Sequence, residues 1–312
     1  MGMRALAAIG LVLAAATPAL AGATSLTLVA AVAGSLAYAN ARVLGPAWGG
    51  HLVIDAGGSW GLARQIASRI LNPDIMESVG SGPLSALGAD TPRWRAALAT
   101  APLVLAFDPR GRDARYLRQV ARGRVPARAF LLRLAQGDLR LGRTDPLTDP
   151  QGQAFVMAVD AWVRAARLPP RVARRILGPL DNPRQVLPEV AVLTQLTSGA
   201  VDLASAFEPQ ARQRHLDWIA LPAAVNFGEE RLRRTYARLT LRLSPRRVVH
   251  GAPLTVWVAP LPHAAHPRAV RSFLTLVLSP RGRRLLQRLG YRVLDPAVLA
   301  GHAPGWARRL AR

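Results

Sequence analysis

The stretch HLVIDAGGSWGLARQIASRIL, His51 to Leu71, sets an apolar strand, a glycine-serine turn and a helix end to end. The run from His51 to Asp55 predicts a strand. Gly57-Gly58-Ser59 predicts a turn, and the spacing of apolar residues from about Leu62 predicts a helix. The same order stands just upstream. In SLTLVAAVAGSLAYANARVL, Ser25 to Leu44, a strand over Leu26–Val32 meets a turn at Gly34-Ser35 and then a helix. Downstream, the short strand PDIMESV ends at Val79 in another glycine-serine turn. Strand, turn and helix in repetition are the pattern of an α/β protein with parallel strands.

The remaining segments extend that pattern. APLVLAFDP (Ala101–Pro109) predicts a strand, followed by Arg-rich helical segments around ARYLRQVARG and ARAFLLRLAQG. LRLGRTDP predicts a strand that enters the loop TDPLTDP, and QAFVMAVDAWVRAARL predicts the helix after it. VDLASAFEP reads as a strand ending at Glu208-Pro209, DWIALP and APLTVWVAPL as further strands. AVRSFLTLVLSPRGRRLLQRLGY is helical on both sides of Ser279-Pro280.

Composition narrows the function. The chain has 312 residues, half of them hydrophobic, enough for one large domain or two medium ones. Its formal net charge is +23, and every basic residue is arginine, so anions are drawn to its surface. The absence of cysteine excludes disulfides, thiolate metal sites and cysteine nucleophiles. At the N-terminus, Arg4 precedes an apolar run from Ala5 to about Thr17, then Pro18 and the small-x-small sequence Ala19-Leu20-Ala21. This predicts a signal peptide over residues 1–21, with an uncleaved anchor as the alternative. The run is short for a bilayer span. An exported chain with 5% aromatic residues is a poor candidate for stacking nucleic-acid bases.

Several residues are candidates for chemistry. Ser35 and Ser59 each follow glycine between a strand and a helix. The first turn of a helix leaves N–H groups unpaired and carries partial positive charge, so hydroxyl and N–H groups there form an anion cradle. Each serine alone is equally an ordinary N-cap. Two of them at the ends of parallel strands occupy the place where open α/β sheets bind ligands. Asp149 before Pro150 fits an N-cap followed by proline at the first helical position. Asp145 before Pro146 fits a turn, and Glu208 alone fits a solvated loop carboxylate. His263 and His266, in PLPHAAHP, lack an evident third metal ligand. No G-x-S-x-G elbow, phosphate-binding Walker loop or H-E-x-x-H is present, and neither serine has an evident histidine base. The chain does not read as an enzyme.

Taken in order, AGSL (Ala33–Leu36), GGSWGLARQI (Gly57–Ile66), PDIMESVGS (Pro73–Ser81), LRLGRTDPLTDPQGQ (Leu139–Gln153), the segment through LTSGAVDLASAFEPQA, LPAAVNFG (Leu221–Gly228) and the closing helices from His266 resemble the substrate-binding proteins of molybdate/tungstate ABC transporters, the tungstate-binding branch most. The resemblance implies a two-lobed periplasmic-binding-protein clamshell, each lobe a mainly parallel sheet flanked by helices. Residues 22–104 and 252–312 would form lobe 1, and residues 105–251 lobe 2. It implies that Ser35, Ser59 and the Val79 N–H hold the oxyanion, and that Asp149 and Glu208 bind its metal centre. It also implies a periplasmic monomer that delivers tungstate or molybdate to an ABC permease in the inner membrane, with no cofactor and no nucleic-acid partner.

That role reconciles two carboxylates with an anion site. At about 4 Å and an effective dielectric of about 20, each like-charge pair costs roughly 4 kcal/mol. Carboxylate oxygens that bind a hard, high-valent Mo(VI) or W(VI) centre offset this, whereas sulfur in sulfate offers no such coordination. The competing readings are a sulfate- or phosphate-type oxyanion-binding protein, a secreted α/β hydrolase, and an exported module whose arginines bind anionic envelope polymers.

Overall fold

The computed structural model describes residues 26–312, so the signal peptide expected over residues 1–21 lies outside the described residues. Four strands come first: β1 (Thr27–Ala33), β2 (His51–Gly57), β3 (Ile75–Val79) and β4 (Trp94–Thr100). The chain then crosses at Ala101-Pro102 into β5 (Leu103–Phe107), β6 (Leu141–Thr144), β7 (Val186–Leu187), β8 (Leu203–Phe207) and β9 (Asp217–Ala220). A hairpin of β10 (Thr240–Ser244) and β11 (Arg247–His250) follows, and β12 (Thr255–Pro260) and β13 (Arg292–Gly301) return to the first sheet.

The two sheets make a two-lobed α/β protein. The first has the strand order β13-β4-β12-β3-β1-β2 and the second β7-β6-β8-β5-β9. Both are mixed rather than mainly parallel. β1 runs parallel to β2 and β3, and β6 runs parallel to β7 and β8. β12 is antiparallel to β3 and β4, and β5 is antiparallel to β8 and β9. β5 and β12 are the strands on which the chain enters each sheet from the opposite lobe, and each runs against the strands beside it; β13, at the edge of the first sheet, is antiparallel to β4. At the crossing, the Leu103 N–H donates to the Asn226 carbonyl at 2.8 Å and the Ala101 N–H to the Leu254 carbonyl at 3.0 Å. The segments between lobes are thus stitched side by side.

The core of the second lobe forms around the helix Pro150–Ala165, apolar nearly all round and buried along most of its length. Such a helix must be covered on every side; it packs against β5, β6, β8 and β10. The helix after Gly34 is not one regular element. A 3₁₀ turn (Gly34–Leu36) runs through Ala37–Ala39 into a π-turn (Asn40–Leu44) before Gly45–Trp48. Near the C-terminus, helices Pro267–Leu278 and Pro280–Arg288 meet at Ser279, whose hydroxyl accepts the Gly282 N–H at 3.2 Å. Among the described residues, no helix is long and apolar enough to cross a membrane.

Candidate functional site

The carboxyl ends of the parallel strands of both lobes face each other across one cleft. On the first lobe, Gly34-Ser35 follows β1, Gly58-Ser59 follows β2, and Val79 ends β3. On the second, the loop to Asp149 follows β6, and Glu189 stands two residues beyond β7. Strand ends of this kind leave N–H groups and short loops free for a ligand.

The two sides are in contact. The Thr148 carbonyl accepts the N–H groups of Trp60 at 3.0 Å and Gly61 at 3.1 Å, at the start of the helix Ser59–Ala67. Arg64 Nη1 donates to the Leu147 carbonyl at 3.3 Å. A Cβ on Gly58 would stand 2.5 Å from the Thr148 oxygen, so only glycine permits this approach. Gly34 is less tight: its Cβ would meet Glu189 Oε2, the end of a side chain, at 2.9 Å. Outside these contacts lies a cavity of about 290 Å³, reached from Trp60, Val79, Pro150 and Met157. The Arg247 guanidinium, on the β10–β11 hairpin, lies over the Trp60 ring, 5.0 Å from its centroid.

Within the cleft the donors are arranged for an oxyanion, and a carboxylate occupies them. Glu189 Oε2 accepts the Gly34 N–H at 2.8 Å, and Oε1 accepts the Ser35 N–H at 2.9 Å. The Ser35 hydroxyl is buried beside this carboxylate and makes no hydrogen bond of good geometry. Ser59 is fully buried, and its hydroxyl accepts the Val79 N–H at 3.2 Å. Behind the cradle, the Tyr291 hydroxyl donates to the Ser35 carbonyl at 3.3 Å. Glu77, also buried, accepts from Asn40 Nδ2 at 2.7 Å.

Asp149 closes the other side. It is the N-cap of the helix Pro150–Ala165, and its Oδ1 accepts the Gln151 N–H at 3.0 Å. Its Oδ2 is buried without a partner. Burial pushes the Asp149 carboxyl up to about 6, against the lowering effect of the nearby Thr144 hydroxyl and of the Gln151 N–H. Glu189 is pushed well above the usual carboxylate range by burial and by the negative charge of Asp149, against the Gly34 and Ser35 N–H groups. Burial likewise raises Glu77 to about 7. Two acids share one buried space, with donors on one side and orphaned oxygens on the other.

Of the residues expected from the sequence, the structure gathers Ser35, Ser59, Val79 and Asp149 around this cleft. Asp145 shapes the loop: its Oδ1 accepts the Leu147 N–H at 2.8 Å. Glu208 is placed differently. The strand expected to carry it ends at Phe207, and Glu208 opens the helix Glu208–Gln213, where Pro209 fits the first turn and an acid complements the helix dipole. Its carboxylate pairs with Arg212 at 2.8 Å and stands 4.0 Å from Arg292; none of its hydrogen bonds or ion pairs reaches the serines or Asp149. The buried acid across from Ser35 is Glu189, in QVLPEVAVL, a segment without a recognisable local motif. Its one signal is an acid just past proline at a strand end. His263 and His266 point to separate acids, Asp90 at 3.9 Å and Asp74 at 2.9 Å. Among the described residues, no group of three or more His, Asp or Glu forms a metal-binding cluster.

The sequence pattern of a family described as bacterial extracellular solute-binding protein matches residues 28–292. A candidate ABC-transporter molybdenum-binding protein of Haloferax volcanii is 29% identical over 230 residues, covering 71% of this chain and 68% of its own. Among solved structures, the Azotobacter vinelandii periplasmic molybdate-binding protein superposes with a TM-score of 0.57 at 16% identity, over 85% of this chain and 98% of its own. The sulfate-binding protein of Mycobacterium tuberculosis superposes with a TM-score of 0.55 at 13% identity, over 92% and 90%. At these identities the two structures share the fold.

Proposed function

We propose a ligand for this chain on the premise that it belongs to the bacterial extracellular solute-binding protein family: the solute is molybdate or tungstate, captured between the lobes. The chain is a transport component of the ABC type and not an enzyme. The observation that carries the ligand is the Glu189 carboxylate seated on the Gly34 and Ser35 N–H groups, with Asp149 Oδ2 unpartnered across the same space. A carboxylate in that cradle is an oxyanion in an oxyanion's place.

In the loaded state, the dianion takes the Gly34 and Ser35 N–H groups and the hydroxyls of Ser35 and Ser59. Glu189 and Asp149 turn their oxygens to the metal centre. In a sulfate-filled site the same two acids, once ionised, carry a repulsion of roughly 4 kcal/mol per charge pair at about 4 Å without coordination to offset it. The two acids are therefore the selectivity device, with Glu189 taking the part that the sequence alone assigned to Glu208. The Thr148 contacts to Trp60 and Gly61 hold the lobes shut over the guest, and the closed form is the one presented to an inner-membrane permease from the periplasm.

The test is isothermal titration calorimetry of the ligand-stripped protein, residues 22–312, with tungstate, molybdate and sulfate at one ionic strength. Saturable equimolar binding of the first two with sulfate silent supports the reading. Comparable sulfate binding removes the role of the acids. Silence with all three anions removes the function.

A further inference from the structure

Arg143 is a buried cation that the binding reading does not use. It lies on β6 with no exposed surface, the largest of the fully buried side chains. Enclosing a guanidinium costs several kcal/mol unless a carboxylate or a full set of acceptors compensates. Arg143 has no carboxylate partner among its hydrogen bonds. Nε donates to Gln185 Oε1 at 3.2 Å, and Nη2 to the carbonyls of Pro179 at 2.8 Å and Leu180 at 3.0 Å. Nη1 is buried without a partner. Burial lowers its proton affinity, with Asp145 and Asp181 acting in the opposite sense.

All three acceptors belong to one segment, the link from the helix Arg171–Leu177 to β7. The Arg143 backbone N–H adds a further bond to the Gln185 carbonyl at 2.8 Å, and Arg143 pairs with Val186 in the parallel β6–β7 register. Gln185 Nε2 in turn donates to the Ile176 carbonyl at 2.6 Å. This segment leads through Leu187 and Pro188 directly to Glu189, while β6 leads through Thr144 to the Asp149 loop. Arg143 therefore grips both chain segments that bring the acids to the cleft. A planar fork fixes distance and angle in a way that an ammonium does not.

We propose that Arg143 is a positioning residue of the binding site, setting where Glu189 enters the Gly34–Ser35 cradle and so how far it stands from Asp149. The inference deepens the molybdate/tungstate reading and rests on it for its ligand arm. Arg143 touches no guest; it acts through Glu189.

The experiment is a double-mutant cycle with tungstate as the probe, read by calorimetry on wild type, Arg143→Lys, Glu189→Gln and the double variant. Arg143→Lys keeps the charge and loses the fork. It is expected to weaken tungstate at least about tenfold when Glu189 is present and less than about threefold when Glu189 is already Gln, a coupling typical of residues that act through one another. Equal factors in both backgrounds, or no loss, overturn the proposal. A ligand-free arm separates this failure from failure of the function. Without oxyanion, Glu189→Gln is expected to lower the melting temperature of wild type by removing a cradle contact, and to lower it less in the Arg143→Lys background, where Glu189 has already left the cradle; an equal drop in both backgrounds overturns the proposal even if no oxyanion binds. Gln185→Ala, which removes one acceptor and leaves Arg143 in place, is expected to show the same coupling at smaller size and stands in if Arg143→Lys does not fold.

Discussion

Glu189 reaches from the second lobe to the first: its Oε1 accepts the Ser35 N–H at 2.9 Å, across 154 positions of sequence. One carboxylate thereby fills the anion cradle and bridges the cleft.

Replacing that acid tests selectivity. Glu189→Gln keeps shape but can accept only one of the two cradle N–H groups, and it offers a neutral, weaker ligand to a hard centre. Tungstate affinity is expected to fall at least about tenfold, or about 1.4 kcal/mol, while any sulfate binding is unchanged or improves. Titration calorimetry with both anions checks it, and equal loss for both contradicts the coordinating role.

Glu208→Gln is the matching control. Glu208 is paired with Arg212, whose side chain is half exposed, and such surface pairs contribute under about 1 kcal/mol. Tungstate binding is expected to stay within about threefold of wild type, a change of well under 1.4 kcal/mol. A loss as large as that of Glu189→Gln would restore the sequence expectation.

Gly58→Ala acts on closure. Gly58 has φ −62, so alanine meets no backbone strain there. The clash is with the Thr148 carbonyl, 2.5 Å from the new Cβ. The lobes are expected to stay apart, with a larger radius of gyration by small-angle scattering and tungstate affinity lowered at least about tenfold, while the melting temperature of the ligand-free protein changes little. A compact variant with wild-type affinity would show that the Thr148 contact does not govern closure.

The ligand-free protein should lose stability as pH rises. Asp149, raised from 3.8 to about 6, Glu77, raised from 4.5 to about 7, and Glu189, raised further by the Asp149 charge, all hold protons more tightly folded than unfolded. Their stabilising effect is complete below about pH 4 and is lost as pH climbs through the folded values. For Glu77 the loss is roughly 3 kcal/mol between about pH 4.5 and 7. Thermal melts across this range, compared with Glu77→Gln and Asp149→Asn, check the sign: the variants should show flatter profiles, and a wild-type profile rising with pH over this window contradicts it.

Local chemistry was legible where a few adjacent residues suffice. The glycine-serine turns after β1 and β2, the Asp149 N-cap with Pro150, and the Asp145 turn depend on backbone freedom, short polar side chains and proline geometry within four or five residues. β13 escaped notice because it is a half-exposed edge strand without apolar alternation. The hairpin β10–β11 is similarly exposed. Glu208 was assigned to the site by the resemblance, not by its own local pattern, and the structure sets it at the start of a helix, paired with Arg212.

The sequence by itself determined the α/β class, the glycine-serine turns and the Asp149 N-cap, because each is written in short-range pattern. Tertiary structure alone decided that Glu189 lies against Gly34 and Ser35, that Gly58 lies against Thr148, and that Arg143 grips the segment leading to Glu189. These depend on strand order and lobe closure, which bring together residues dozens to more than a hundred positions apart. No local propensity encodes such a meeting; it follows from which sheet edges the crossovers place face to face.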